Sequence, residues 1–504
     1  MARTSRRFVG HSMLQESATV LLRRIAVALI LIVGTGCSSR LGNPARIATG
    51  YISHVVCSYV FVSGLDPVRV GEEYIRANPV FRGFNWALRY DVDLARRQVT
   101  ARTPGRSASR AVYHDAVGCL NVSGTASLDA PTRAEIEADG PVPAIMPDIA
   151  GTSVVVPTDP RLVAALDRAF AEPDGEVLRR THAIVVVRDG RVVAERYAQG
   201  FGIDTPVHGW SATKSVNNAL LGILVRQGRL RMDEPAPVTA WQAPTDPRHP
   251  ITPDQLLRMQ SGLRLGDSMA TGLRSAWDTS ARMVFTEPDM AGFAMAADLE
   301  TAPGAAWRYA DGNPAILGRI IRDRVGGHAV DVLRFARREL FGPLGIHHAT
   351  LEIDSTGTPI ASTFLFATPR EWARFGLLFL QDGVVEGRRI LPEGWVRYST
   401  TPTPNAWVGY GAGWWTNQGE SEGARFRREQ GMPADAFMAL GIYGQTVVVV
   451  PSSRVVIARF GTTYDLPKAM RDICRLTADV VAALPGPARA EGGRVALDSG
   501  WRGR

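Results

Sequence analysis

The chain has 504 residues, 45% apolar and 21% charged, an ordinary globular composition with apolar material for two or more domains. Its formal charge of +8 is the kind of excess that attends phosphate binding, but residues 1–36 hold five arginines against one glutamate, and no Lys/Arg run follows them. No nucleic-acid partner is therefore expected. No Cys/His spacing matches a zinc site and no His-Glu-x-x-His occurs, so neither a metal nor another cofactor is expected.

Arg23 and Arg24 precede the apolar run Ile25–Val33, which has the length of a secretory h-region and is too short to span a bilayer comfortably. Gly34-Thr35-Gly36 and then Cys37-Ser38-Ser39 follow. This junction resembles a bacterial lipoprotein cleavage site with Cys37 as the lipidated residue, although Gly34 stands where leucine is preferred. The expectation is a signal peptide over residues 1–36. The protein is then exported to the periplasm or cell envelope and held at the bacterial membrane by a lipid or signal anchor. A plain signal peptide is the alternative.

Residues 37–150 read as a small N-terminal α+β module and linker. Val55–Val62, Leu88–Val92 and Ala111–Tyr113 are strand-like runs between polar turns, and residues 123–160, rich in Ala, Pro, Asp and Gly, mark a boundary. In an oxidising compartment Cys57 and Cys119 are candidates for a disulfide stapling this module. Cys474 lies in a helical pattern with Met470, Ile473, Leu476, Val480 and Val481, and reads as a buried free thiol. A larger domain occupies 151–485. The Gly-, Pro- and Arg-rich tail 486–504 reads as disordered.

The larger domain opens with Ala183–Arg188, the turn Asp189-Gly190 and Arg191–Tyr197, a strong β-hairpin signal. Gly209-Trp210-Ser211-Ala212-Thr213-Lys214 follows, continued by Val216, Ala219, Leu220, Ile223 and Leu224, an apolar stripe of helical period that ends near Gly228. Ser211 is then at a helix N-terminus, with Lys214 one turn on and on the same face. The lysine is informative because it is rare: of 57 basic residues only Lys214 and Lys468 are lysines. An arginine cannot lose its proton in a protein, whereas a desolvated lysine can become a neutral amine and act as a base. Ser-x-x-Lys uses that difference, the amine deprotonating a serine that is inert at its own pKa, while the helix N-terminus favours a nearby oxyanion.

Further along, Thr252-Pro253-Asp254-Gln255 is a capping box with proline at the first helical position. Tyr309 sits on a turn just before a helix opened by Pro314 and stopped at Gly326-Gly327. A buried cation beside a phenol favours phenolate, so Tyr309 is a candidate base or proton relay, with a core aromatic as the other reading. Asn313 reads as the N-cap of the Pro314 helix or as a substrate ligand. Phe437–Leu440, Gln445–Val450 and Val455–Phe460 close the domain as strands, the last two joined by Pro451–Arg454. The pattern implies an antiparallel sheet with helices on both faces and a helical insertion.

Val185–Tyr197, Gly209–Lys214, Ile251–Leu263, Pro303–Gly318, Tyr410–Trp415 and Gly441–Gln445 together resemble the class C β-lactamase-related serine hydrolases. That group includes penicillin-binding peptidases, esterases and 6-aminohexanoate-dimer hydrolase. The resemblance spans roughly residues 175–465, and "WSATKSV" and "GIYGQ" look closest to the 6-aminohexanoate-dimer hydrolase branch. It implies a β-lactamase/transpeptidase-like α/β fold and acyl transfer through an acyl-enzyme. Ser211 would be the nucleophile, Lys214 the general base and Tyr309 the tyrosine of the family's Tyr-x-Asn. The backbone N–H groups of Ser211 and Gln445, beside Gly444, would form the oxyanion hole.

Two departures shape the functional expectation. Asp311 occupies the Asn place of Tyr-x-Asn, where the family binds the substrate amide, and Asn313 is the candidate to replace it. Ile442-Tyr443-Gly444 occupies the place of the family's Lys/His-Thr-Gly, whose cation meets the carboxylate of a β-lactam. Isoleucine offers no such contact, so the expected substrate is a small uncharged ester or amide. The alternatives are a β-lactamase or D-amino-acid peptidase acting on cell-wall-type substrates, and, in another class, a non-catalytic envelope-anchored binding module working through residues 50–122.

Overall fold

The computed structural model describes residues 44–83, 85–104, 108–122, 130–175, 178–269 and 278–484. The expected signal peptide, Cys37 and the tail 486–504 lie outside the described residues. Helix α1 (Pro44–Phe61) opens the described chain. The strand expected over Val55–Val62 is therefore wrong, since all but its last residue belongs to this helix. The reason is physical. The segment is buried on nearly every side, including Ile52, Val55, Val56, Tyr59 and Val60, and an apolar run without a polar face carries neither the strand nor the helix period. The other two runs are strands of an antiparallel meander, β1 (Arg89–Asp93), β2 (Gln98–Arg102), β3 (Ala108–His114) and β4 (Gly118–Val122). Helix α1 lies against this sheet and is stapled to β4 by the Cys57–Cys119 disulfide, with Cα atoms 6.1 Å apart.

Helix α2 (Pro160–Phe170) leads into the principal sheet. The hairpin β5 (Thr181–Arg188) and β6 (Arg191–Tyr197) turns through Asp189 and Gly190 at φ 51° and 80°, the left-handed pair that a two-residue hairpin requires. Helix α3 (Thr213–Arg226) carries the Ser-x-x-Lys lysine. Helix α4 (Pro253–Leu257) has its capping box on Thr252 and Gln255. Helices α5 (Thr279–Thr286), α6 (Gly312–Val325) and α7 (Pro369–Leu380) follow. The closing strands are β7 (Trp415–Thr416), β8 (Phe437–Gly441), β9 (Gln445–Val450) and β10 (Val455–Gly461), and α8 (Leu466–Ala483) is the last element of the described residues. The sheet order is β7-β8-β9-β10-β5-β6, every pair antiparallel.

Both faces of this sheet are covered, which is why its central strands are apolar at successive positions and not only alternate ones. Ile184, Val186, Val448 and Ile457 pack under α2 and α8, a layer that also buries the free thiol of Cys474. Val185, Val187, Val447 and Val456 face the layer of α7. At the edges, β7 is two residues long, and residues 149–155 run beside β6. There the N–H groups of Val192 and Glu195 donate to the Ile149 and Val155 carbonyls at 2.8 and 2.9 Å.

Two buried carboxylates fix the N-terminal module to this body. Glu352 accepts from His54 Nε2 at 2.6 Å, from Ser58 Oγ at 2.8 Å and from the Cys119 N–H at 2.8 Å. Gly118, at φ 73°, has no room for a side chain, since a Cβ would stand 2.5 Å from the Glu352 carboxylate. Glu73 pairs with His182 of β5 and accepts from Thr462 Oγ1 at 2.6 Å. Burial pushes the Glu73 carboxyl up, but His182, Thr462 and Arg69 outweigh it and hold the pKa at about 2.

Candidate active site

Ser211 lies in a single 3₁₀ turn, Trp210–Ala212, that feeds directly into α3. Trp210 holds φ 47°, a conformation disfavoured for a bulky residue, and its ring is wedged between His208, 4.2 Å away, and Tyr51 at 6.2 Å. The end of β8 presses on the same turn. A Cβ on Gly441 would lie 2.2 Å from the Gly209 carbonyl oxygen, so glycine is what lets the strand close against the residues bearing Ser211.

Lys214 is 2% exposed and its Nζ has three acceptors: Ser211 Oγ at 2.9 Å, Asp311 Oδ1 at 2.6 Å and the Ser362 carbonyl at 2.8 Å. Three acceptors match the three donors of an ammonium. Burial alone favours the neutral amine, but the Asp311 carboxylate, with the Tyr309 phenol, outweighs it and raises the Lys214 pKa above its ordinary value. The three acceptors and the Asp311 carboxylate thus favour the ammonium over the free amine that the Ser-x-x-Lys motif uses. Tyr309 is buried, with its ring centroid 4.9 Å from Lys214 Nζ and its edge packed on Tyr410.

Asp311 also settles how α6 begins. It stands at the N-cap position but makes no capping hydrogen bond, because its carboxylate is turned to Lys214 while its N–H donates to Ser268 Oγ at 2.8 Å. The N-cap expected at Asn313 is thus displaced: the helix starts at Gly312, one residue before it. The Asn313 amide is buried against other partners, accepting from Ser261 Oγ at 2.6 Å and donating to Met259 Sδ at 3.5 Å. Gln445 opens β9 in register with Gly441, and its side chain is bound to the Ile442 and Gly461 carbonyls and to the Gly461 N–H. Its side chain is thus committed to the backbone around it. Gly444, at φ 89°, leaves space for Arg459, which donates to its carbonyl at 2.9 Å.

Ser211, Asp311 and Ile442 line one cleft of about 290 Å³. Its described lining carries the carboxylates of Asp267, Asp278 and Asp311 and no lysine or arginine side chain. The remaining wall is largely apolar and includes the aromatic rings of Tyr51, Phe81, Phe285 and Tyr443. Sequence reasoning found Ser211, Lys214 and Asp311, which share local motifs, but missed the Ser362 carbonyl and this wall. No periodicity signals a main-chain acceptor, or an aromatic brought in from a distant element.

The Beta-lactamase family model matches residues 166–482. The 6-aminohexanoate-dimer hydrolase of Paenarthrobacter ureafaciens is 28% identical over 232 residues, 43% of this chain and 56% of that protein. The chain thus aligns with little more than half of that relative's length. A solved structure described as "Putative 6-aminohexanoate-dimer hydrolase from Bacillus anthracis" superimposes with a TM-score of 0.53 at 22% identity, over 68% of this chain and 89% of that one, a likeness of fold. From its start in α2 to its end in α8, the family match takes in the whole six-stranded sheet, and the chain belongs to the Beta-lactamase family.

Proposed function

We propose that the protein is a serine hydrolase that cleaves an uncharged ester or amide through an acyl-enzyme on Ser211. The observation that carries this reading is the 2.9 Å contact between Lys214 Nζ and a serine hydroxyl that opens on the cleft. Lys214, once neutral, takes the Oγ proton as Oγ bonds to the substrate carbonyl carbon. The same proton then passes to the leaving alcohol or amine, with Tyr309 beside it as relay, and water releases the acyl group by the reverse path. The Ser211 and Gln445 main-chain N–H groups are the donors for the oxyanion, each such donor contributing about 3 kcal/mol in comparable sites. Substrate charge follows from the lining. Carboxylates at Asp267, Asp278 and Asp311, with Ile442 in the place of the family cation, disfavour an anionic substrate such as a β-lactam.

A fluorophosphonate probe is expected to label the wild-type chain and not Ser211→Ala. p-Nitrophenyl esters or short linear amides are expected to turn over faster than nitrocefin. A folded wild type that resists the probe and hydrolyses no member of the panel would leave the binding-module reading. Nitrocefin turnover matching the best ester would refute the substrate assignment.

A further inference from the structure

The family match begins at residue 166, yet part of the cleft over Ser211 is built by residues that precede it. Ala48 and Tyr51 of α1, with Val80 and Phe81 shortly after it in the chain, line the same cleft as Ser211 and Ile442. The Tyr51 ring lies 5.1 Å from Phe81 and 5.1 Å from Phe285, and stacks at 6.2 Å on Trp210, the residue before the serine. Asn78 joins this wall to the other side of the site. Its buried amide donates to the Tyr51 hydroxyl at 3.3 Å and to the Tyr443 hydroxyl at 3.4 Å, so the module grips the left-handed Tyr443, φ 66°, between Ile442 and Gly444. The wall is fixed in place by the Cys57–Cys119 disulfide and by the pairs His54–Glu352 and His182–Glu73.

We propose that the N-terminal module is the specificity element of this hydrolase: Tyr51 and Phe81, with Ala48 and Val80, receive the apolar part of the ester or amide presented to Ser211. The inference rests on the reading of Ser211 as nucleophile and extends it to a substrate class, esters or amides carrying a medium-sized apolar group. Aromatic walls held rigid before binding gain apolar contact without an ordering cost, so each methylene placed against them raises kcat/KM. The binding-module reading of residues 50–122 and this one differ on one point: here the module has no separate ligand, because its ligand is the hydrolase substrate.

The test uses the full chain and two opposite changes. Tyr51→Ala removes an aromatic surface from the wall, and Ala48→Trp, at a half-buried position, fills the space in front of it. The readouts are the kcat/KM ratio of p-nitrophenyl octanoate to p-nitrophenyl acetate, the equivalent ratio for octyl and methyl acetate, and binding of octan-2-one, which cannot be hydrolysed, by calorimetry. The expected result is a drop of about tenfold or more in one of the two ratios, carried by KM, and a comparable weakening of ketone binding in both variants. Ratios and ketone affinity within about twofold of wild type, in variants whose circular dichroism is unchanged, would overturn the proposal. If Tyr51→Ala does not fold, Ala48→Trp decides alone. A wild type that hydrolyses no ester but binds the ketone in a Tyr51- and Ala48-dependent way would refute the Ser211 reading and leave the wall standing.

Discussion

Lys214 is one of two lysines in a chain that otherwise uses arginine for its cations, and its surroundings say why an amine is kept there. A guanidinium could meet Asp311 and the Ser362 carbonyl, but with a pKa above about 12 it could not accept the Ser211 proton. Lys214→Arg is therefore expected to lower kcat by about 10³-fold or more, Ser211→Ala by as much, and the double variant by hardly more, since members of one unit are not additive. A folded Lys214→Arg enzyme keeping a tenth of wild-type kcat would refute the base role. Asp311 makes a separate prediction. Its carboxylate raises the Lys214 pKa, so the free amine forms only at higher pH and kcat/KM should rise toward alkaline pH. Asp311→Asn removes the charge that opposes burial, the pKa falls, and the rising limb of the pH profile should move to lower pH. An unmoved limb would show that Asp311 does not control the amine. The sequence made Asp311 visible as a departure from Tyr-x-Asn, but not its partner, because a serine and a lysine three residues apart say nothing of which carboxylate will arrive 97 residues later.

At the level of elements, local chemistry was legible and burial was not. The Asp189-Gly190 turn, the Thr252 capping box and the stop at Gly326 each depend on a few neighbouring residues, and each stands where its sequence places it. Helix α1 has no such mark: its apolar residues cover all sides because a sheet, α5 and the hydrolase body all meet it, and only the fold supplies those neighbours. Its docking makes a sharp prediction. Glu352→Ala deletes the acceptor of His54, Ser58 and the Cys119 N–H at once, leaving buried donors unpaired. The loss expected in urea unfolding is about 3–5 kcal/mol, the range for breaking a buried pair from one side. A loss below about 1 kcal/mol would show that the module is held by the disulfide and apolar contact alone.

Across the whole molecule, the family fold was readable because its strands, caps and Ser-x-x-Lys turn are each specified locally and fall in a familiar order. The aromatic side of the cleft was not, since Tyr51 and Phe81 lie more than 100 residues before Ser211 and reach it only through tertiary packing. The sheet edges have a consequence of another kind. An unpaired strand edge is a template on which a second chain can hydrogen-bond, the usual start of ordered aggregation. Here one edge is too short, at two residues, to seed such growth, and the other already spends the N–H groups of Val192 and Glu195 on the segment 149–155. In a sheet this rich in consecutive valines, such as Val447–Val450, closing both margins in this way removes the edges on which a second copy could pair.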